Sequence, residues 1–138
     1  MTSVEVAVAL NVARRAQKSS PDPLKKVGLA IMSPMGTMIC MGFNHTKDLV
    51  PPPFDGDRAS ERRPYPIHAE IDAITKMGTW RGTKNKIVVT TLFPCSHCMT
   101  ALAAIDVTKV YYLEIYDKDK DALDIAKFYG ITCEQILE

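Results

Sequence analysis

The chain has 138 residues, which suits a single domain over 1–138 with one core. Hydrophobic residues make up 46% and charged residues 24%, the balance of an ordinary globular protein. With 17 basic against 16 acidic residues the net charge is +1, so the chain lacks the electrostatic footprint of a protein that binds long nucleic acid, while one or two local cations could still hold a small anion.

The first residues, Met1-Thr2-Ser3-Val4-Glu5, hold an acid and no basic stretch, so no secretory leader is expected. No apolar run approaches the ~18 residues of a membrane span. Residues 4–18 predict a helix, with Val6, Ala9, Leu10 and Ala13 on one face. Thr2 and Glu5 make a capping box, and Arg14, Arg15 and Lys18 gather at the end that the helix dipole favours. Ser19-Ser20-Pro21-Asp22-Pro23 stops the helix. Two short apolar strands come next at 27–32 and 37–43, joined by Ser33-Pro34-Met35-Gly36 as a hairpin turn. Residues 44–66 are irregular, rich in proline and charge, and a loop of that length in a small domain is usually functional.

Beyond the loop the pattern alternates. Helices are predicted over 68–77, 95–104 and 119–129, and strands over 87–91, 107–113 and 131–133. The order α-β-β-α-β-α-β-α-β predicts an α/β fold with parallel strand pairs and helices on both faces of the sheet. Cys40 and Cys133 lie in apolar runs and read as buried core thiols, which together with the missing leader points to a reduced, cytoplasmic protein.

Two motifs carry chemistry: His68-Ala69-Glu70, and Pro94-Cys95-Ser96-His97-Cys98. His68, Cys95 and Cys98 are three zinc ligands, and three protein ligands leave a fourth tetrahedral position open to water, the mark of a catalytic site. Cys95 and Cys98 stand at i and i+3, so both thiols face one way at a helix start, where the positive potential favours thiolate. His68 and Glu70, at i and i+2, converge only where a helix begins. Glu70 is then the spare acid that moves protons to and from the water. A structural zinc knuckle, completed by His45, His97 or Cys40, is the bland alternative. It has no use for Glu70, and knuckle ligands come as two close pairs. His97, between the cysteines, is expected to point to solvent.

The pair H-x-E and P-C-x-x-C resembles the signature of zinc-dependent nucleobase deaminases. The chain resembles the cytidine deaminase superfamily, and within it the deoxycytidylate (dCMP) deaminases, over residues 4–133. The resemblance rests on His68 to Ile74, on Leu92 to Cys98, on Lys26-Val27-Gly28 and Gly42-Phe43-Asn44, and on the stretch from Glu114 to Lys118. It implies a three-layer α/β/α sandwich with a central five-stranded mixed sheet. It implies one zinc per chain on His68, Cys95 and Cys98, with Glu70 as proton shuttle, and hydrolysis of dCMP to dUMP and ammonia in pyrimidine deoxynucleotide metabolism. Substrate contacts implied by it are Asn44 and Ala69 at the sugar and base, Tyr116 lining the pyrimidine, and Lys26 or Lys118 at the 5′-phosphate. It also implies a homo-oligomer, a hexamer in many members, regulated by dCTP and dTTP. The sequence departs from the family pattern twice: Asp72 stands where Asn is commoner, and Asn44-His45 replaces an Asn-Gly turn. The altered turn leaves regulation open and admits a 5-modified dCMP or dCTP as substrate. A deaminase of a base in RNA or DNA, such as tRNA adenosine, and a non-catalytic zinc module are the competing readings.

Overall fold

The computed structural model describes residues 2–51, 66–115 and 120–138. Along them run α1 (Ser3–Ser19), β1 (Gly28–Met32), β2 (Met38–Phe43), α2 (Ala69–Lys76), β3 (Lys86–Leu92), α3 (Ser96–Ala104), β4 (Val107–Glu114), α4 (Asp121–Phe128) and β5 (Thr132–Gln135). This is the predicted order, with boundaries shifted by one or two residues. The capping box forms, Thr2 Oγ1 accepting from the Glu5 N–H at 3.2 Å and Glu5 Oε1 from the Thr2 N–H at 3.0 Å. Short 3-10 turns at Lys47–Leu49 and Gly78–Gly82 add to the elements expected from the sequence.

The strands form one mixed sheet in the order β2-β1-β3-β4-β5. β1 and β2 make the expected hairpin, closed by the Ser33 N–H on the Thr37 carbonyl at 2.9 Å. β3–β4 and β4–β5 are parallel, as strands joined through a helix should be. β3 also lies beside β1 and antiparallel to it. The helical crossover runs from β2 through α2 to β3, over β1, so the parallel partners it joins are not neighbours.

Alternate residues of β1 serve the two faces. Leu29 and Ile31 pack with Val88 against Ala69, Ala73, Met99 and Leu102 of α2 and α3, with Ala122 and Ala126 of α4 in the same cluster. Ala30 and Met32 pack with Val89 against Ala9 and Leu10 of α1. The result is the three-layer sandwich, with α1 on one face and α2, α3 and α4 on the other. Cys40 and Cys133 are half-buried rather than in the core, because each lies on an edge strand. Both are free thiols packed against the rim of the larger cluster.

Close packing at Gly42 and a buried cation at Lys86 set the elements around the sheet. At Gly42 of β2 an added Cβ would lie 2.3 Å from the Ala69 carbonyl and 2.7 Å from the Ala73 nitrogen, so only glycine lets α2 lie this close to the sheet. At the start of β3, Lys86 is 0% exposed and donates its ammonium protons to the carbonyls of Arg81 at 2.6 Å, Thr83 and Ile105. Three acceptors satisfy a buried cation that burial alone would push toward neutrality. Among the described residues no helix is long and apolar enough to cross a membrane.

Candidate metal and catalytic site

Both predicted ligand motifs open helices. His68 is the N-cap of α2, in extended conformation (φ −66°, ψ 152°), and its carbonyl accepts the Asp72 N–H at 2.9 Å. Cys95 is the N-cap of α3 (φ −70°, ψ 170°), and its carbonyl accepts the Met99 N–H at 2.8 Å. Neither side chain caps its helix, and the two face each other. Cys98 comes one turn later in α3 and is buried.

His68 Nδ1 lies 3.2 Å from Cys98 Sγ and 3.6 Å from Cys95 Sγ. All three donor atoms lie within 4.8 Å of one another, and among the described residues no other cluster of this kind forms. Ligand atoms around a tetrahedral zinc stand roughly 3.5 Å apart, given Zn–S and Zn–N bonds of about 2.3 and 2.0 Å. Two thiols and one imidazole at that spacing fit zinc. A hydrogen bond from Cys98 holds Cys95 down at about 4, with His68 helping, while Cys98 is raised by the same bond and by burial. His97 is exposed and outside the cluster, as expected.

Glu70 sits in the first turn of α2, 4% exposed. Its carboxyl contacts the Cys98 thiol but is not among the gathered donors. Burial raises its proton affinity above the ordinary carboxylate range, against the opposing pull of its own backbone N–H and Cys98. It is a buried acid held beside a metal site without belonging to it.

The other expected site residues gather elsewhere or lie outside the described residues. Asn44 Oδ1 accepts from Ser20 Oγ at 2.7 Å and from the Val27 N–H at 2.8 Å, and its Nδ2 donates to the Lys25 carbonyl at 2.7 Å. Among the described residues that leaves one amide hydrogen uncommitted. Lys26 is exposed and its ammonium donates to the Ser20 carbonyl, so it meets Asn44 through Ser20. Lys25 pairs with Glu114 at 2.7 Å. Ala69 is buried in the larger core cluster. Tyr116 and Lys118 lie outside the described residues.

The end of β2 connects the two groups. His45, next to Asn44, pairs its backbone with Ile67, which adjoins His68 (N–O distances 3.1 and 2.6 Å). Asp72 of α2 faces it from the other side. Its Oδ1 accepts from His45 Nε2 at 2.9 Å, and its Oδ2 from the Phe43 N–H at 3.1 Å and Lys76 Nζ at 2.8 Å. Sequence reasoning assigned Asp72 no role. The signal available was its departure from the family pattern. A cleft of about 230 Å³ opens alongside, walled by His45, Thr46, Leu49, Val50 and Pro66.

Residues 4–114 match the cytidine and deoxycytidylate deaminase zinc-binding region, and the chain belongs to this family, whose metal is zinc. It is 30% identical over 137 residues to a probable deoxycytidylate deaminase of Caenorhabditis elegans, across 93% of this chain and 68% of that protein. It is 28% identical over 123 residues to a probable deoxycytidylate deaminase of Drosophila melanogaster, across 80% of this chain and 59% of that protein. The chain thus matches about three fifths of the Drosophila relative's length. In fold it is similar to the dCMP deaminase of cyanophage S-TIM5, with a TM-score of 0.77 over 99% of this chain and 100% of that one at 23% identity. The phage protein has also been solved in complex with dCMP and dUMP.

Proposed function

We propose that this protein is a zinc-dependent hydrolase that converts dCMP to dUMP and ammonia. The observation that carries the reading is the gathering of His68, Cys95 and Cys98 with buried Glu70 beside them and not among them. A structural zinc would use a fourth protein donor and would leave Glu70 without work.

In this reading His68, Cys95 and Cys98 hold zinc, which supplies the Lewis acid that lets water attack at neutral pH. Glu70 moves the protons. Its carboxylate takes one from the attacking water as the C4–O bond forms and delivers it to ring N3. It then carries the remaining hydroxyl proton from the C4–OH to the exocyclic nitrogen as the C4–N bond breaks, the C4=O forms and ammonia leaves. Its proton affinity, raised by burial, makes it a stronger base toward the water than an ordinary carboxylate.

The names of the invertebrate relatives support dCMP as substrate, and a place in pyrimidine deoxynucleotide metabolism is what that reaction implies. Asn44, through its uncommitted amide hydrogen, and Ala69 serve the sugar and base. Lys26 or Lys118 meets the 5′-phosphate, and Tyr116 lines the pyrimidine. A single domain over 1–138, a homo-oligomer with dCTP and dTTP as regulators, and a cytoplasmic setting complete the reading. The four free cysteines are consistent with that last point.

Ammonia release by zinc-loaded protein over dCMP, 5-methyl-dCMP, dCTP, deoxycytidine, cytidine and a tRNA anticodon stem tests it. Fastest turnover of dCMP is expected. Turnover of RNA alone, or of nothing, ends the reading.

A further inference from the structure

The two positions at which the sequence departs from the family pattern, His45 and Asp72, are far apart in the chain and touch in the fold, Nε2 to Oδ1 at 2.9 Å. His45 Nδ1 lies 2.7 Å from the Thr46 carbonyl. Both partners are obligate acceptors, so both ring nitrogens must donate, which only the imidazolium can do. The Asp72 carboxylate then holds three donors from two elements: the His45 ring and the Phe43 N–H at the end of β2, and Lys76 one turn along α2. Its side chain is 6% exposed against 19% for His45, so water competes weakly for these bonds. The imidazolium faces Asp72 and Lys76 of α2. Across the cleft stands Asp22, whose Oδ1 already accepts from the Leu24 and Lys25 N–H groups.

We propose that His45 and Asp72 form a positioning clamp that fixes the end of β2, and with it Asn44, against the helix that carries His68 and Glu70. The inference rests on the deaminase reading: in that reading α2 bears the chemistry and the end of β2 bears substrate recognition, so the clamp sets the distance between them. The backbone pair with Ile67 holds only the main chain, whereas Asp72 ties side chain and main chain of β2 to the middle of α2. Releasing it leaves His68 and Glu70 in place and lets the binding wall move. The loss therefore falls on substrate binding and spares the bound complex's chemistry.

The geometry also says what replacement is tolerated. In Asp72→Asn the amide oxygen can take the Phe43 N–H and Lys76, while the amide nitrogen donates to a neutral His45 ring whose Nδ1–H stays on Thr46. The clamp survives and its charge does not. In His45→Ala the side-chain link is gone.

The experiment compares wild type, His45→Ala and Asp72→Asn in kinetics on dCMP, zinc content and 15N NMR of the imidazole. Expected for His45→Ala is a KM about tenfold higher, the worth of one charge-assisted hydrogen bond, with kcat within about twofold and zinc content unchanged. Expected for Asp72→Asn is a KM within about threefold of wild type, with the His45 ring passing from two N–H groups to one near neutral pH. An unchanged KM in His45→Ala, a loss that falls on kcat or on zinc, or a ring with one N–H in wild type overturns the proposal. A wild-type protein that deaminates no nucleotide removes the positioning role along with the deaminase reading. The ring NMR, with amide exchange at Phe43 in His45→Ala, then still decides whether the clamp exists.

Discussion

The first turn of α1 and the first turns of α2 and α3 solve the same problem differently. α1 begins with a Thr2–Glu5 capping box that satisfies two backbone N–H groups. α2 and α3 begin with His68 and Cys95, neither of which caps its helix with its side chain. A good N-cap contributes about 1 kcal/mol, so two helices forgo local stability at the end where the site lies. Tertiary packing holds these helices instead: Ala69 and Met99 of their first turns and Ala73 and Leu102 of their second all join the larger core cluster. A missing side-chain cap is not by itself a mark of function, since α4 also starts without one, at Lys120. What sets α2 and α3 apart is that their N-cap residues, His68 and Cys95, meet each other.

The difference can be broken by removing the chemistry and leaving the helix. Glu70→Gln keeps the buried shape and cannot accept the water's proton. kcat on dCMP should fall by about 10²–10⁴, with zinc content at wild-type level by elemental analysis. Retained turnover would end the role assigned to Glu70.

Cys95→Ser sharpens the comparison from the other side, because serine caps helices well and binds zinc poorly. The zinc-free variant should be more stable than zinc-free wild type by about 0.5–1 kcal/mol in urea denaturation. With free zinc at about 100 times the wild-type dissociation constant, wild type should gain about 2.7 kcal/mol that the variant lacks.

Gly42→Ala tests the packing that replaces the cap. The new methyl meets the Ala69 carbonyl and the Ala73 backbone, neither of which can swing away. Overpacking should lower stability by about 1–3 kcal/mol and move α2, so zinc affinity should weaken as well. Thr2→Ala should lower stability by about 1 kcal/mol and leave zinc affinity and kcat unchanged, since α1 packs on the opposite face of the sheet.

The smallest expected effect is in the pH dependence of stability. His45 has its proton affinity raised above the ordinary 6.5 by the Asp72 carboxylate and then by the Thr46 carbonyl. The folded state thus binds its proton more tightly than the unfolded chain. That contribution is complete below pH 6.5 and is lost as pH rises through the folded value. Asp72 works in the opposite sense. Burial opposes its charged form, but Lys76, His45 and the Phe43 N–H together hold its carboxyl below the ordinary 3.8, so its contribution fades only in strong acid. Wild type should lose a small part of its melting temperature above pH 6.5, and His45→Ala should lose none over that range.

The element order, the gathering of His68, Cys95 and Cys98 and the place of Glu70 at a helix start were legible in the sequence because each is a local pattern. The face of α1 repeats at about 3.6 residues, Cys95 and Cys98 fall at i and i+3, and the H-x-E motif sits where a helix begins. The half-exposure of Cys40 and Cys133 was not legible, since both lie in apolar runs and only the sheet order makes β2 and β5 edges. Nor was Lys86, a cation at a strand start that turns out to be fully buried because three carbonyls from separate segments converge on it. Asp72 and His45 were visible as odd residues, but their pairing required β2 and α2 to be packed together through Gly42. Periodicity and motif spacing act over a few residues along the chain and so determined what the elements are and which side chains are the candidate metal ligands. Which strands are edges, which charges are buried and which residues face across two elements depend on contacts distant in sequence, and only tertiary packing decides those.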